Sequence, residues 1–280
     1  MKYVVKKKVK NLFVVVMAQC IAVFLSCDKT SNHHEGEIQL LERIVYPDVL
    51  LHAKSLTQCQ IQNAVKYTKY EYDNQNRITK ISSYNKSKTL VGTETFTYME
   101  NDLIKVVYEE ACNPNIETRE FAKNGNKITV TIEGGYLNYL GTRTYTFELD
   151  EDGFPVKLGS AFPDGSYPLI YQYQDGNLIK LINSSQDYSH QNYSYIYEYD
   201  NKKSPFYHCQ TPKWYMFYVS NRSGSMNNIV KEIGIAAEDN KVYNETRYKY
   251  GYDRNGFPTK RITNSNGKEH VVEFRYKRFF

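Results

Sequence analysis

The chain lacks the short motifs that usually mark enzyme chemistry. It has no Gly-x-Ser-x-Gly elbow, no Gly-x-x-x-x-Gly-Lys phosphate loop, no His-Glu-x-x-His and no Gly-x-Gly-x-x-Gly. The expectation is a protein without catalytic residues, cofactor or metal. Carboxylates contributed by separate strands can still meet, so a hydrolase with acids gathered inside a rolled sheet stays open. Cysteine is scarce: beyond Cys20 and Cys27 there are only Cys59, Cys112 and Cys209, an odd number without metal-ligand spacing. One disulfide with a free thiol and three buried thiols both remain open. His33-His34 sits in a polar stretch that reads as solvated linker, and His52, His190, His208 and His270 are scattered singly. Glu148-Leu149-Asp150-Glu151-Asp152-Gly153 alternates carboxylates faintly as a calcium loop does, but it falls where a hairpin turn is due. Excess charge is missing as well. Lys2, Lys6, Lys7, Lys8 and Lys10 account for the surplus, and the rest of the chain carries 31 basic and 31 acidic residues. The basic footprint of a nucleic-acid binder is absent, which excludes nucleic acid as a partner.

What is present begins with an address. Those lysines precede a nearly all-apolar stretch from Leu12 to Leu25, and Ser26-Cys27 ends it. The run is shorter than the roughly 20 residues of a spanning helix, and a polar segment follows at once, so residues 1–26 read as a secretion signal. Phe24-Leu25-Ser26-Cys27 resembles the lipobox of bacterial lipoproteins, with phenylalanine where leucine is usual. The resemblance implies that Cys27 becomes the lipid-bearing amino terminus and that residues 27–36 form a tether. An ordinary cleaved signal with Cys27 left as a thiol is the alternative.

From about residue 60 one phrase recurs every 25 residues or so. An aromatic pair at alternate positions leads through an acidic or amide turn into an aliphatic run with a lysine. Tyr70-Glu71-Tyr72-Asp73 runs into Ile78-Thr79-Lys80-Ile81, Phe96-Thr97-Tyr98 into Leu103-Ile104-Lys105-Val106, and Tyr171-Gln172-Tyr173 into Leu178-Ile179-Lys180-Leu181. Tyr145-Thr146-Phe147, Tyr197-Glu198-Tyr199-Asp200 and Tyr250-Gly251-Tyr252-Asp253 keep the beat. The period within each strand is two: Tyr193, Tyr195, Tyr197 and Tyr199 share one face, as do Val272, Phe274 and Tyr276. Asn124-Gly125, Asp152-Gly153, Asp164-Gly165, Asp175-Gly176 and Asn255-Gly256 supply tight-turn chemistry. Residues 37–54 suit helix or strand, and strand fits the rest better. The expectation is an all-β, antiparallel meander over residues 37–280, on the order of 16 strands. Open sheets rarely exceed about 10 strands, so this one should roll into a barrel or strongly curled sheet.

The Tyr-x-Tyr-Asp phrase is similar to the YD repeats of the Rhs family, whose repeats build β shells around a cavity. Together with the leader and the lipobox-like cysteine, it resembles a family of exported lipoproteins of Gram-negative commensals that share a domain of unknown function with a porin-like fold. Asp200-Asn201-Lys202-Lys203-Ser204-Pro205-Phe206-Tyr207, where the meander pauses, also resembles a segment of that family. The resemblance implies the cell envelope and no catalytic residues. The final Phe280 and the alternation before it also suit the closing strand of an outer-membrane barrel, but most strands carry only two to four aromatics where a lipid-facing band would need more.

Of the 27 tyrosines, only Tyr3 lies in the leader. Leaving that ladder exposed would remove much of the core, so most of it must be structural. Trp214, the only tryptophan, stands with Tyr215, Phe217 and Tyr218 where the repeat breaks. These four are the candidate ligand-binding residues, or else a plug for one end of the barrel. The resulting expectation is a non-catalytic lipoprotein, held at the outer membrane through Cys27, that binds a glycan or an envelope protein. A purely structural shell is the alternative, and an integral membrane barrel the weaker one.

Overall fold

Residues that alternate between aromatic or β-branched and polar present one dry and one wet face to a sheet, and a sheet this long hides its dry face by closing on itself. The computed structural model describes residues 38–46, 64–111, 113–135, 141–159, 169–183, 192–219, 223–265 and 268–279. The leader, Cys27 and its tether, Cys59, Cys112, His52, His190 and the Asp164-Gly165 turn lie outside the described residues. Sixteen strands follow in chain order: β1 (Ile38–Val45), β2 (Tyr67–Tyr72), β3 (Ile78–Tyr84), β4 (Leu90–Met99), β5 (Asp102–Glu110), β6 (Asn113–Asn124), β7 (Lys127–Gly134) and β8 (Arg143–Leu149), then β9 (Pro155–Gly159), β10 (Leu169–Gln174), β11 (Asn177–Asn183), β12 (Tyr193–Lys203), β13 (Asn227–Ala236), β14 (Val242–Tyr252), β15 (Pro258–Ser265) and β16 (Lys268–Phe279). Each pairs antiparallel with the next, and β1 pairs with β16, with Ile38 opposite Phe279, so the meander is a closed barrel. The expected fold class and the strand at Ile38–Val45 both hold.

The recurring phrase is explained by two devices. The first is the turn. The Asp73 carboxylate accepts hydrogen bonds from the backbone N–H groups of Gln75 and Arg77 at 2.9 Å each. Asp150 does the same for Asp152 and Phe154, and Asp253 for Asn255 and Phe257. In each turn the fourth residue, Asn76, Gly153 or Gly256, has positive φ, which favours glycine or asparagine. The second device is a bulge. An inward tyrosine hydroxyl donates to a backbone carbonyl beside a register shift: Tyr72 to Leu41, Tyr98 to Ile78, Tyr173 to Pro155, Tyr199 to Leu178, Tyr250 to Ile229 and Tyr276 to Pro258, at 2.6–3.0 Å. At every one of these places one strand holds a residue more than its neighbour. A bulge leaves a ladder carbonyl unpaired, and the tyrosine satisfies it from inside the barrel. Tyr199→Phe should therefore cost about 1–2 kcal/mol in guanidinium denaturation, because the Leu178 carbonyl loses its donor and Ser225 loses a partner. A change within about 0.3 kcal/mol would show the hydroxyl to be incidental.

The aromatic face points inward. Phe96, Val106, Phe121, Val130, Phe147, Leu181, Tyr197, Val272 and Phe274 are all buried. The outer wall is polar and charged: Lys105 pairs with Glu120 at 3.2 Å and Lys231 with Glu198 at 3.0 Å across neighbouring strands, and Lys260 stands opposite Glu273. The connection from β12 to β13 does not stay on the rim. It folds into the barrel, carrying a short helix α1 (Lys213–Val219) that the strand pattern did not foresee. Its ties reach around the wall. The Gln39 N–H donates to His208 Nδ1 at 3.0 Å, the Ile78 N–H to Thr211 Oγ1 at 2.8 Å and the Leu178 N–H to Ser225 Oγ at 3.3 Å. All three lie at the end of the barrel that carries the Asp turns.

Candidate functional site

The structure brings Trp214, Tyr215, Phe217 and Tyr218 together on α1 and packs them against the inner wall. Trp214 meets Phe121 and Phe147, Tyr215 meets Phe96 and Phe121, Phe217 meets Phe154 and Tyr173, and Tyr218 meets Phe147 edge-on. Trp214 is 6 % exposed, Tyr215 1 % and Phe217 0 %. Trp214, Tyr215 and Tyr218 fill the part of the lumen that faces β4 to β8, and Phe217 packs towards β10 to β14.

Another part is not filled. A cavity of about 890 Å3 lies between β1–β4 and β13–β16, within the range of ligand pockets. Its floor is the inserted connection, through Pro205, Phe206 and Ser223, and Val65, Tyr46 and His270 line it near the opposite strand ends. Tyr70, Tyr248, Tyr250 and Phe274 give it aromatic walls, and Thr68, Ser83, Asn227, Asn228 and Thr263 give it hydrogen-bonding groups. None of the four aromatic residues of α1 lines it.

The ionisable residues of its lining are Glu94, Arg261 and His270. Glu94 belongs to a polar network shared with α1. Burial raises its pKa, while Arg119 and the Tyr215 hydroxyl, 3.3 Å from Oε2, pull the other way and Glu117 adds to the rise. Arg119 reaches Glu117 at 2.6 Å and Arg143 reaches the same carboxylate at 3.4 Å. Burial acts to lower the pKa of Arg119, but the surrounding Tyr215, Tyr218, Glu117 and Glu94 raise it, so it stays a cation. Arg261 is different. Its guanidinium lies 5.3 Å from the centre of the Tyr248 ring, and its Nε is buried without a hydrogen-bond partner. The Tyr250 hydroxyl beside it is pushed up to about 12 by burial, which outweighs the opposing pull of Arg261.

Sequence reasoning missed Glu94 and Arg261, although one signal was there. After the outward lysine of each second strand the chain returns an inward residue: Ile81, Val106, Leu158 and Leu181, then Glu232 and Arg261. A charge in a slot that is elsewhere aliphatic is a departure from the repeat that costs stability unless it has a use. Cys209 is a free, buried thiol whose pKa is raised by burial. Among the described residues no cluster of three or more His, Cys, Asp and Glu side chains is placed to hold a metal ion.

No protein family matches the chain, and no curated protein does. Among solved structures, a porin-like protein from Bacteroides vulgatus ATCC 8482 aligns at 11 % identity over 85 % of this chain and 99 % of that one, with a TM-score of 0.38. A porin-like protein from Bacteroides uniformis ATCC 8492 aligns over 85 % of this chain and 98 % of that one at 16 % identity, with a TM-score of 0.51. In its fold, the chain is similar to that porin-like protein.

Proposed function

We propose that this protein is a non-catalytic binding barrel, exported and tethered by a lipid on Cys27 to the outer membrane of a Gram-negative envelope, and that it takes a small ligand into its lumen. The observation that carries the reading is the aromatic, polar-dotted cavity beside the inserted connection. A purely structural shell has no use for an unfilled half-lumen of this size. Tyrosine and phenylalanine walls with hydroxyl and amide groups between them suit the apolar faces and hydroxyl edges of a sugar, so a glycan is favoured over an envelope protein. Glu94 is the one carboxylate among the described lining residues, and Glu117 is held by Arg119 and Arg143, which supports a role without catalysis. The likeness to a porin-like protein agrees with an envelope address. The charged outer wall argues against immersion in the bilayer, since each Lys or Arg on a lipid-facing strand costs about 2–4 kcal/mol near the midplane.

The test is a glycan array followed by calorimetry on the full chain in lipid nanodiscs. Thr263→Trp, which projects an indole into the cavity beside Arg261, should abolish binding while circular dichroism stays unchanged, and Thr146→Trp on the outer wall should leave binding intact. Binding that survives Thr263→Trp would move the site elsewhere on the molecule.

A further inference from the structure

The charged lining of the cavity is asymmetric in a way that points to a ligand. Glu94 is offset by Arg119 and Tyr215 and sits five strands around the wall from Arg261. Arg261 has no such compensation: among the described residues no carboxylate forms an ion pair with it, it lies over the Tyr248 ring, its side chain hydrogen-bonds to the neutral Tyr250 hydroxyl, and its Nε is buried with no acceptor. A half-buried guanidinium group without a carboxylate partner is costly, and a ring face and a neutral hydroxyl recover only part of what water supplied. The neighbouring inward side chains are Thr263 on the same strand, and Val272 and His270 on β16, which stand opposite Arg261 and Thr263 in the register. Beside a planar cation they supply a hydroxyl, an imidazole and an apolar wall, all facing the cavity.

We propose that Arg261 is the specificity residue of the lumenal site and that the ligand it selects carries a carboxylate: an acidic sugar of the uronic-acid class, its acid on the Arg261 fork and its ring against the aromatic walls. This rests on the reading of the cavity as a binding site. The guanidinium fork matches a carboxylate in two parallel hydrogen bonds, and low local dielectric strengthens both. A hydroxyl of a neutral sugar can take only one neutral acceptor place there. The cavity therefore discriminates by charge at one end and by shape and stacking at the other.

The experiment compares a uronic-acid trisaccharide with its methyl ester, and with an acyl carboxylate of similar volume, by calorimetry on the full chain in nanodiscs. Wild-type protein should bind the free acid roughly 10- to 100-fold more tightly than the ester. Arg261→Gln should remove that preference and leave the ester affinity unchanged. Arg261→Lys should restore part of it, because the charge returns without the fork. Arg247→Gln, on the exposed outer wall, should change nothing. Equal affinity for acid and ester, or an Arg261→Gln variant that keeps the preference, overturns the assignment while leaving the lumenal site standing. Tight binding of the acyl carboxylate instead of the sugar overturns the sugar class. If the trisaccharides, the acyl carboxylate and a neutral glycan array all fail to bind, the lumenal site itself is refuted.

Discussion

Phe217→Ala should lower stability by about 3–5 kcal/mol, read as a shift in the guanidinium midpoint followed by the emission of Trp214. Phe217 is fully buried on α1 and belongs to a cluster with Tyr171, Leu178, Leu181, Tyr197, Ile229 and Tyr248, which spans five strands from β10 to β14. Its ring lies against Gly224, where even a methyl group would come within 2.4 Å of it. The barrel wall cannot collapse into the space that truncation leaves, because the wall is fixed by its own hydrogen-bond ladder, so the cavity term should stay near the top of its range. Phe217→Leu should lose far less. A shift below about 1 kcal/mol for the alanine variant would mean that α1 merely occupies the lumen without supporting it.

Glu117→Ala should cost about 3 kcal/mol, the second largest effect expected. Glu117 is a single carboxylate serving two guanidinium groups, Arg119 at 2.6 Å and Arg143 at 3.4 Å, all three with side chains at most 20 % exposed. Removing it leaves Arg143 with no carboxylate ion pair among the described residues and Arg119 with only the electrostatic attraction of Glu94. The distinguishing measurement is the triple replacement Glu117→Ala, Arg119→Leu and Arg143→Leu, which should recover a good part of the loss, because a buried charge without a partner costs more than an apolar group of similar size. If the triple variant is less stable than Glu117→Ala alone, the network stabilises the fold by more than mutual neutralisation.

Much of the fold was legible because it is written in a repeat. Tyr-x-Tyr-Asp followed by Ile-x-Lys encodes a strand, a capped turn and a second strand, and repetition gives a meander whose length forces curling. Closure was not legible, since the contact between Leu41 on β1 and Tyr276 on β16 depends on shear and tilt summed over every strand, which no local pattern records. Helix α1 was missed for a related reason. Lys213-Trp214-Tyr215-Met216-Phe217-Tyr218-Val219 is rich in residues that favour strands, and it coils because it is enclosed by a wall whose ladders are already filled, so only internal hydrogen bonds remain to it. Trp214 and its neighbours pack inside the barrel and away from the cavity, a position that suits the alternative role of a plug. The cavity was illegible because Ile44, Tyr70, Glu94, Tyr248, Arg261 and Phe274 come from six strands spread over most of the chain. Only the broken aliphatic slot at Arg261 left a trace in one dimension.

The pairing of β1 with β16 also governs the order of assembly. Every other ladder joins neighbours along the chain and can zip as soon as both strands exist, but the seam from Ile38 to Val45 must wait until β16 has been made. Until then the molecule carries two open edges, and the chain must be kept from pairing through them with its neighbours. Loss of the final strand, even by a short truncation, would turn a self-sealed cylinder into a sheet ready to polymerise. Folding of this protein should accordingly be slow at its last step and intolerant of shortening at that end, in contrast to a linear stack of the same repeats, which could lose a terminal unit and remain closed to its surroundings.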